Sequence, residues 1–198
     1  AVDAIRYLRK SPVMFSEIID LLMCQYDRID FVDEQDALGF DCPLDVHCSY
    51  TRDQILAAFD VYTAERMPAM REGVKFIPDK AADLLFVTLK KSDKDYSPST
   101  LYNDYSISET LFHWQSQSTT PENSPTGQRY INHKAGGSKV VLFARENKSG
   151  SVGACAYTFL GNAEYVSHEG SRPMNIIWRL ETPIPPKFYR KTNKLIAG

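Results

Sequence analysis

The sequence predicts an α+β fold, a small mixed β-barrel with peripheral helices that follows a helical segment. Capped, helix-periodic patterns occupy the first third, and at least six short strand patterns follow residue 71. One or two helical patterns interrupt those strands, which favours a barrel over a doubly wound sheet. We place the domain boundary between an acidic helical segment, 1–66, and a barrel, 67–198.

Two helix starts in the first segment have local signals. Ser11 followed by Pro12 is typical of a cap and a first helical residue, and an apolar stripe at helical spacing follows. Thr51 and Gln54 form a capping-box pattern, with Tyr50 placed to contact Ile55 as a hydrophobic staple. We expect this second helix to run to about residue 62 or 66. The acidic stretch 27–43 between the two helices reads as a loop or linker.

The strand predictions rest on apolar runs and on alternation. DLLFVTLK (83–90) and KVVLFARE (139–146) are apolar on both faces, as central strands are. LFHWQSQS (111–118) and MNIIWRLE (174–181) alternate, and AYTFLG and AEYVSH complete the set. Between them, Ser124–Pro125 and Gly136–Gly137 bound a short predicted helix.

Charge is divided unevenly along the chain. The 198 residues contain 23 Lys+Arg and 25 Asp+Glu, a net charge of −2, which excludes a polycation that holds nucleic acid by bulk charge. Residues 1–60 contain five basic and twelve acidic residues, a net −7, and the remainder has a net +5. A polyanion would therefore bind the second part.

The lack of a targeting signal and of closely spaced cysteine pairs predicts a cytoplasmic protein. No apolar run is long enough to span a bilayer, and the first residues lack a signal-peptide core and a Met, as expected of a fragment or a processed chain. No CxxC pair is present. Cys42, His47 and Cys48 are bunched, so a zinc site there is an alternative to idle thiols in a reducing compartment.

Common catalytic motifs are missing from the sequence. It contains no phosphate loop of the GxxxxGK[ST] type, no GxGxxG, no HExxH and no GxSxG. Asp79, Glu146 and Lys148 only loosely resemble a metal-nuclease pattern. We therefore expect a non-catalytic module that needs no cofactor, with a metal-dependent nuclease as the weaker alternative.

Residues 92–133 combine aromatic rings with hydroxyls, amides and a carboxylate. Rings stack on an unstacked base, a carboxylate accepts from the exocyclic amine of cytosine, and Gln amides read the rest of its edge. The alternatives are an aromatic loop folded onto its own barrel and an ordinary solvated strand face. The candidate base-binding residues are Tyr96, Ser97, Tyr102, Asp104, Tyr105, His113, Trp114, Gln115 and Gln117.

A second set of residues suits phosphate. A helix N-terminus beside an arginine binds phosphate readily, and lysines follow a nucleic-acid backbone, although most such charges are plain surface. The candidate phosphate-binding residues are Lys90, Lys91, Lys94, Ser124, Arg129 and Arg172.

Several long blocks resemble one family: YTRDQILAAF, MREGVKFI, DLLFVTLKKSDKDYSPSTLYNDY, LFHWQSQSTT, SPTGQRYINH and FLGNAEYVSHEGSRPMNIIWRL. The chain from about residue 45 onward is similar to the C-terminal domain of bacterial superfamily II helicases, many of which also have an N-terminal phospholipase-D-type nuclease. The resemblance implies a target-recognition module of modification-dependent (type IV) restriction enzymes.

In that family the terminal domain is thought to adopt the SET-and-RING-associated (SRA) fold, a PUA-like barrel that flips 5-methylcytosine or 5-hydroxymethylcytosine into an aromatic pocket. The implied partners are double-stranded DNA with a modified cytosine and the helicase and nuclease domains of one parent chain, with no membrane. The alternative is a protein-docking domain of a helicase that contacts no base.

Overall fold

The computed structural model describes residues 2–26, 38–70, 73–89, 104–150 and 153–193. The chain divides into two compact units, Ala1–Asp33 and Glu34–Gly198. This division differs from the boundary predicted after residue 66. Residues from Leu38 to Phe59 contribute buried side chains to the core of the second unit and therefore belong to it.

The first unit contains two helices, α1 (Val2–Leu8) and α2 (Pro12–Tyr26). Pro12 begins α2, as the Ser11–Pro12 pattern predicts, and the Phe15 amide donates to the Ser11 carbonyl at 2.9 Å. Apolar side chains of α2 are exposed, among them Val13, Leu21 and Leu22. Of the helices that the structure describes, none has the length and apolarity needed to cross a membrane.

The second unit is α+β and is built on a large, mostly antiparallel sheet. Its strands are β1 (Ser49–Tyr50), β2 (Val74–Ile77), β3 (Ala82–Thr88), β4 (Tyr105–Ser106), β5 (Leu111–Gln115), β6 (Lys139–Arg145), β9 (Tyr157–Glu169) and β10 (Asn175–Leu180). Their order is β2-β3-β6-β9-β10-β5-β4, and β1 pairs with β9. Within the described residues this path is open, since its end strands β2 and β4 do not pair with each other.

The remaining elements lie around this sheet. The helices are α3 (Arg52–Ala58), α4 (Pro125–Asn132) and α5 (Pro186–Thr192), with a 3₁₀ turn at Pro78–Lys80. A separate hairpin pairs β7 (Ser149–Gly150) with β8 (Gly153–Ala154).

Strands β3 and β6 pair in parallel, with β2 on one side of the pair and β9 on the other, and both of their faces are covered. Along β3, Leu85 and Val87 enter one hydrophobic cluster, whereas Leu84 and Phe86 enter a second cluster on the other face. The predicted two-faced apolar strands are therefore confirmed. Burial on both faces is the usual setting for a parallel pair.

The local sequence patterns correctly predicted where the helices begin. Thr51 Oγ1 accepts from the Gln54 amide at 3.2 Å, and Gln54 Oε1 accepts from the Thr51 amide at 2.8 Å, which confirms the capping box. The predicted end at residue 62 or 66 is wrong, because α3 stops at Ala58. Asp60 adopts a left-handed φ of 58°, and the chain folds back so that the Val61 amide donates to Leu56.

The predicted strands AYTFLG and AEYVSH form one strand, β9, of 13 residues. Gly161 lies at their junction with a φ of 86°, and the pairing with β6 shifts register near this point. A glycine with positive φ beside a register shift is typical of a β-bulge, which bends a strand without ending it. The glycine therefore marks a bend and not a turn between two strands.

Candidate nucleic-acid interface

Tyr105 and His113 face each other across the β4–β5 pair. Their rings are stacked, with centroids 4.7 Å apart and an interplanar angle of 14°. Both side chains are half-buried, on the face of β5 opposite to the buried Phe112 and Trp114. The predicted alternation of this strand is confirmed, and it presents a planar surface beside polar groups.

Asp104 directly precedes β4 and follows the segment 90–103. Asp104 is only 8% exposed, and its Oδ1 accepts from the backbone amide of Gln115 at 2.9 Å. Gln115 in turn donates from Nε2 to Asn175 Oδ1 at 2.7 Å, and the Asn175 amide donates to the Glu169 carbonyl. A carboxylate and two side-chain amides are thus connected across the neighbouring ends of β4, β5 and β10.

Trp114 does not belong to this surface. It is 4% exposed and packs edge-on against Tyr130, with centroids 5.5 Å apart, inside the hydrophobic cluster that also contains Trp178. Successive side chains of a strand point to opposite faces, so Trp114 cannot share a pocket with His113 and Gln115. The aromatic residue that the sequence suggested as a pocket wall is part of the hydrophobic core.

Gln117 follows β5 in a turn, where its carbonyl accepts from the Thr120 amide at 2.9 Å. The preceding residue, Ser116, is buried and accepts from the Met174 amide at 2.9 Å.

The other candidates lie outside the described residues: Tyr96, Ser97 and Tyr102 for the base, and Lys90, Lys91 and Lys94 for phosphate. The structure therefore brings together Asp104, Tyr105, His113 and Gln115.

Ser124 caps helix α4 as the sequence predicts. Its Oγ accepts from the Gly127 amide at 3.0 Å and donates to the Pro121 carbonyl at 2.6 Å. A Cβ on Gly127 would lie 2.4 Å from the Pro121 carbonyl oxygen and 2.6 Å from that of Glu122. The preceding loop is thus packed closely against the N-terminus of α4, where the phosphate was expected.

Arg129 points away from that N-terminus and is held by a buried carboxylate. Its Nε and Nη2 donate to Asp83 at 2.6 and 2.9 Å, and its guanidinium carbon lies 3.8 Å from the centroid of the Phe76 ring. The Asp83 carboxylate raises the pKa of Arg129, whereas burial raises the pKa of the Asp83 carboxyl and Arg129 lowers it in part. A phosphate would have to displace this bidentate pair, so Arg129 joins α4 to β3.

Arg172 is exposed in the turn between β9 and β10, with a φ of 134°. The neighbouring Ser171 Oγ accepts from the Glu122 amide at 3.0 Å. This hydrogen bond brings the turn that contains Arg172 next to the loop that caps α4. Of the predicted phosphate residues, Ser124 and Arg172 thus lie on adjacent loops, whereas Arg129 is directed into the fold.

A cleft of about 210 Å³ opens at the other end of β10, between β9 and the turn after α4. It is lined by His133, Lys134, Asn162, Glu164 and Glu181 among others, and none of the predicted base-binding residues contributes to it. His133 Nε2 accepts from the Tyr165 amide at 3.1 Å, and burial lowers the pKa of His133. The hydrogen bond makes this histidine a structural group that orders the turn.

Strand direction separates the acidic residues of the nuclease pattern. Asp79 precedes β3 and Glu146 follows β6, and these two strands are parallel and in register from Ala82–Lys139 to Thr88–Arg145. The two acidic residues thus lie at opposite ends of a seven-residue strand pair, roughly 20 Å apart. In the described part of the chain no group of three metal-binding side chains occurs, including at Cys42, His47 and Cys48.

Sequence reasoning missed two arginines that meet at Tyr157. Arg52 Nη2 donates to the Tyr157 hydroxyl at 3.0 Å, and the Arg145 guanidinium lies over the Tyr157 ring, 4.3 Å from its centroid. A signal for Arg145 was present, since it is the charged end of the otherwise apolar stretch VVLFAR. Arg52 was hidden inside the capping pattern of α3.

Comparison with protein families matches residues 44–192 to a family described as a domain of unknown function (DUF3427). That span is about three quarters of the 198 residues. The chain belongs to this family. No curated protein gives a significant match to the sequence.

The DUF3427 match begins at Leu44, inside the second structural unit, and ends at Thr192, the last residue of α5. It therefore includes the Asp104–Gln115 surface, the Arg129–Asp83 pair and the arginines around Tyr157. It also begins 23 residues before the predicted barrel boundary at residue 67, in agreement with the packing of residues 38–59 into this unit.

Proposed function

We propose that this DUF3427 domain recognises DNA that contains 5-methylcytosine or 5-hydroxymethylcytosine, by flipping the modified base out of the duplex. The position of Asp104 carries the proposal. A buried carboxylate on a sheet edge, next to a stacked Tyr105–His113 pair and two amides, provides acceptors and a planar surface for the edge of cytosine.

The energetic requirements of base flipping suit such a surface. Extrusion costs a few kcal/mol of unstacking, and stacking on an aromatic side chain returns on the order of 1–3 kcal/mol per base. Hydrogen bonds to the amine and to the ring edge offset the remaining cost of extrusion and select cytosine. A methyl niche adds about 0.8 kcal/mol, a preference of roughly fourfold.

The sheet suits an SRA-like, PUA-type barrel, which we propose as the fold. One hydrophobic cluster contains side chains of β3, near one end of the strand order, together with Phe112 and Trp114 of β5, near the other. Register shifts in the pairing of β9 with β6 and of β10 with β9 favour the strong curvature that such a fold requires.

We also propose that the module serves a cytoplasmic bacterial restriction enzyme, in which helicase and nuclease domains of the same parent chain act on the DNA. This fragment would then contribute selectivity and no catalysis. The support is the resemblance of the sequence blocks above, together with a net charge too low for affinity by bulk charge.

Protein docking is a second candidate, and α2 favours it. Val13, Met14, Leu21, Leu22 and Met23 of this helix are all more than half exposed. Exposed apolar side chains on one short helix are typical of a protein-interaction surface. Docking through the first unit is compatible with base recognition by the second.

Matched duplexes that differ only in one cytosine test the main proposal. The 198-residue chain should bind the methylated or hydroxymethylated duplex roughly fourfold or more tightly than the plain duplex in a fluorescence anisotropy titration at one fixed salt concentration. Asp104→Asn should abolish this preference, since an amide places an N–H where the amine of cytosine needs an acceptor, and a base that is not held in the pocket cannot place its methyl group in the niche.

Asp79→Asn is the matched control, because it makes the same chemical change at an exposed position outside the candidate surface. It should keep the preference. Equal affinity of the unmutated chain for the three duplexes would sink the proposal and leave docking as the better reading. A preference that survives Asp104→Asn would place the base elsewhere.

A further inference from the structure

Arg145, the last residue of β6, is a buried cation with neutral partners. The residue is 8% exposed. Its Nε donates to Thr88 Oγ1 at 3.0 Å and its Nη1 donates to the Cys155 carbonyl at 3.0 Å. The third nitrogen, Nη2, makes no hydrogen bond within the described residues.

The charge of Arg145 is not matched by a carboxylate in the part of the chain that the structure describes. A hydroxyl, a carbonyl and the face of the Tyr157 ring offset part of the cost of taking a guanidinium out of water. Buried charges in proteins are normally paired with an opposite charge. An anion from outside the chain would complete this environment.

Arg52, the first residue of α3, is a second cation at the same tyrosine. It is half-buried, and its Nη1 and Nη2 donate to the Met70 carbonyl at 3.4 Å and to the Tyr157 hydroxyl at 3.0 Å. Its guanidinium carbon lies 5.9 Å from the Tyr157 ring centroid, compared with 4.3 Å for Arg145. Both partners of Arg52 are neutral as well.

Two guanidinium groups beside one ring repel each other unless an anion lies near both. The fold nevertheless holds the two guanidinium groups and the ring together from three separate elements, α3, β6 and β9. Arginine presents planar, forked N–H groups that match the oxygens of phosphate, and phosphate offers more acceptors than a carboxylate does.

We infer that Arg52, Arg145 and Tyr157 form a binding site for a phosphate group. Tyr157 positions the two guanidinium groups, through its hydroxyl for Arg52 and its ring face for Arg145. As a contact to the DNA backbone the site rests on the function proposed above, although a free phosphate or a nucleotide would satisfy the same chemistry.

The site also lies where the chain enters segment 90–103. The Leu89 amide donates to the Arg145 carbonyl at 3.0 Å, and Lys90, Lys91 and Lys94 follow in the sequence. Phosphate contacts position a protein on a duplex without reading its sequence. The site would thus supply affinity without reading the base.

Inorganic phosphate is the first probe, added to the 198-residue chain at constant ionic strength with chloride as the comparison salt. Phosphate should raise the thermal midpoint of the unmutated chain and of Arg179→Gln, a control at an exposed arginine of β10. The rise should disappear in Arg52→Gln. Because Arg52 is only half-buried, this variant is the one expected to fold normally, and Arg145→Lys serves as the second variant.

An unmodified duplex is the second probe. Arg52→Gln and Arg145→Lys should weaken its binding several-fold, and the slope of log K against log salt should fall by about one in Arg52→Gln. Any preference for modified cytosine should stay unchanged, which separates this site from the Asp104 surface. A duplex affinity that is unchanged while the phosphate effect is lost would identify free phosphate as the ligand source.

Equal phosphate stabilisation in all four proteins, with equal duplex affinity and salt slope, would overturn the inference. Failure of the modified-cytosine preference alone would not, because the phosphate effect and its dependence on Arg52 are measured without any modified base.

Discussion

Two arginine sites lie at opposite ends of strand β3 and differ in the group that faces the charge. At the start of the strand, Arg129 is held by the Asp83 carboxylate through hydrogen bonds of 2.6 and 2.9 Å. At its end, Arg145 is held by the Thr88 hydroxyl and the Cys155 carbonyl, both at 3.0 Å. An aromatic ring lies against each guanidinium, Phe76 in the first case and Tyr157 in the second.

The comparison separates a structural arginine from one that is suited to a ligand. The Arg129 pair is electrically complete, so it links α4 to β3 and needs nothing from outside. Arg145 has the hydrogen bonds expected of a buried arginine, but among the described residues no carboxylate faces its charge. Sequence reasoning assigned phosphate binding to Arg129, whereas the tertiary contacts favour Arg145.

The largest expected effect tests the structural arginine. Arg129→Met should lower the free energy of unfolding by about 3–5 kcal/mol in urea denaturation at pH 7, because it leaves the fully buried Asp83 carboxylate unpaired. The loss should shrink as the pH falls towards 4. Burial raises the pKa of Asp83, so the folded variant takes up a proton more readily than the unfolded chain.

The double variant Asp83→Leu with Arg129→Met is the control for this prediction, since it removes both charges and keeps an apolar contact. It should recover most of the lost stability. A double variant as unstable as Arg129→Met alone would show that packing, and not the unpaired charge, causes the loss.

A smaller effect is expected at the other arginine. Arg145→Met should lower the free energy of unfolding by only about 1–2 kcal/mol, because it removes two hydrogen bonds but leaves no buried carboxylate behind. The same urea denaturation in phosphate-free buffer measures it. A loss as large as that of Arg129→Met would erase the distinction between the two sites.

The smallest effect is a pH dependence at His133, in the turn after α4. Burial lowers the pKa of His133, so the unfolded chain binds a proton near pH 6.5 that the folded chain resists. The free energy of unfolding should fall as the pH drops below about 6.5, by at most about 1.4 kcal/mol per pH unit from this group. Denaturation of the unmutated chain and of His133→Gln at pH 7.5 and 5.5 compares the two slopes. Identical slopes would rule His133 out as their source.

Local patterns were predictable wherever a few neighbouring residues decide the structure. The Thr51–Gln54 capping box, the Ser124 cap and the alternation of Phe112, His113 and Trp114 are all present as predicted. The candidate surface follows in part from that alternation, because His113 and Gln115 share one face. Trp114 shows the limit, since aromatic content alone cannot separate a pocket wall from a core side chain.

Other features depend on residues that are distant in sequence. Asp83 and Arg129 are 46 residues apart, and Thr88 and Arg145 are 57 apart. The Asn175 amide enters the candidate surface from 60 residues beyond Gln115. Without the strand order, no local pattern connects the members of these pairs.

The sequence by itself determined the class of the fold, the helix starts, the faces of β5 and the two-faced burial of β3 and β6. These features depend on hydrogen bonds and periodicities within a few residues. Only the tertiary structure decided that β3 and β6 are parallel, that β9 is one bent strand and which arginine has a carboxylate. A charge acquires its partner when distant strands pair, so the difference between Arg129 and Arg145 exists only in the folded chain.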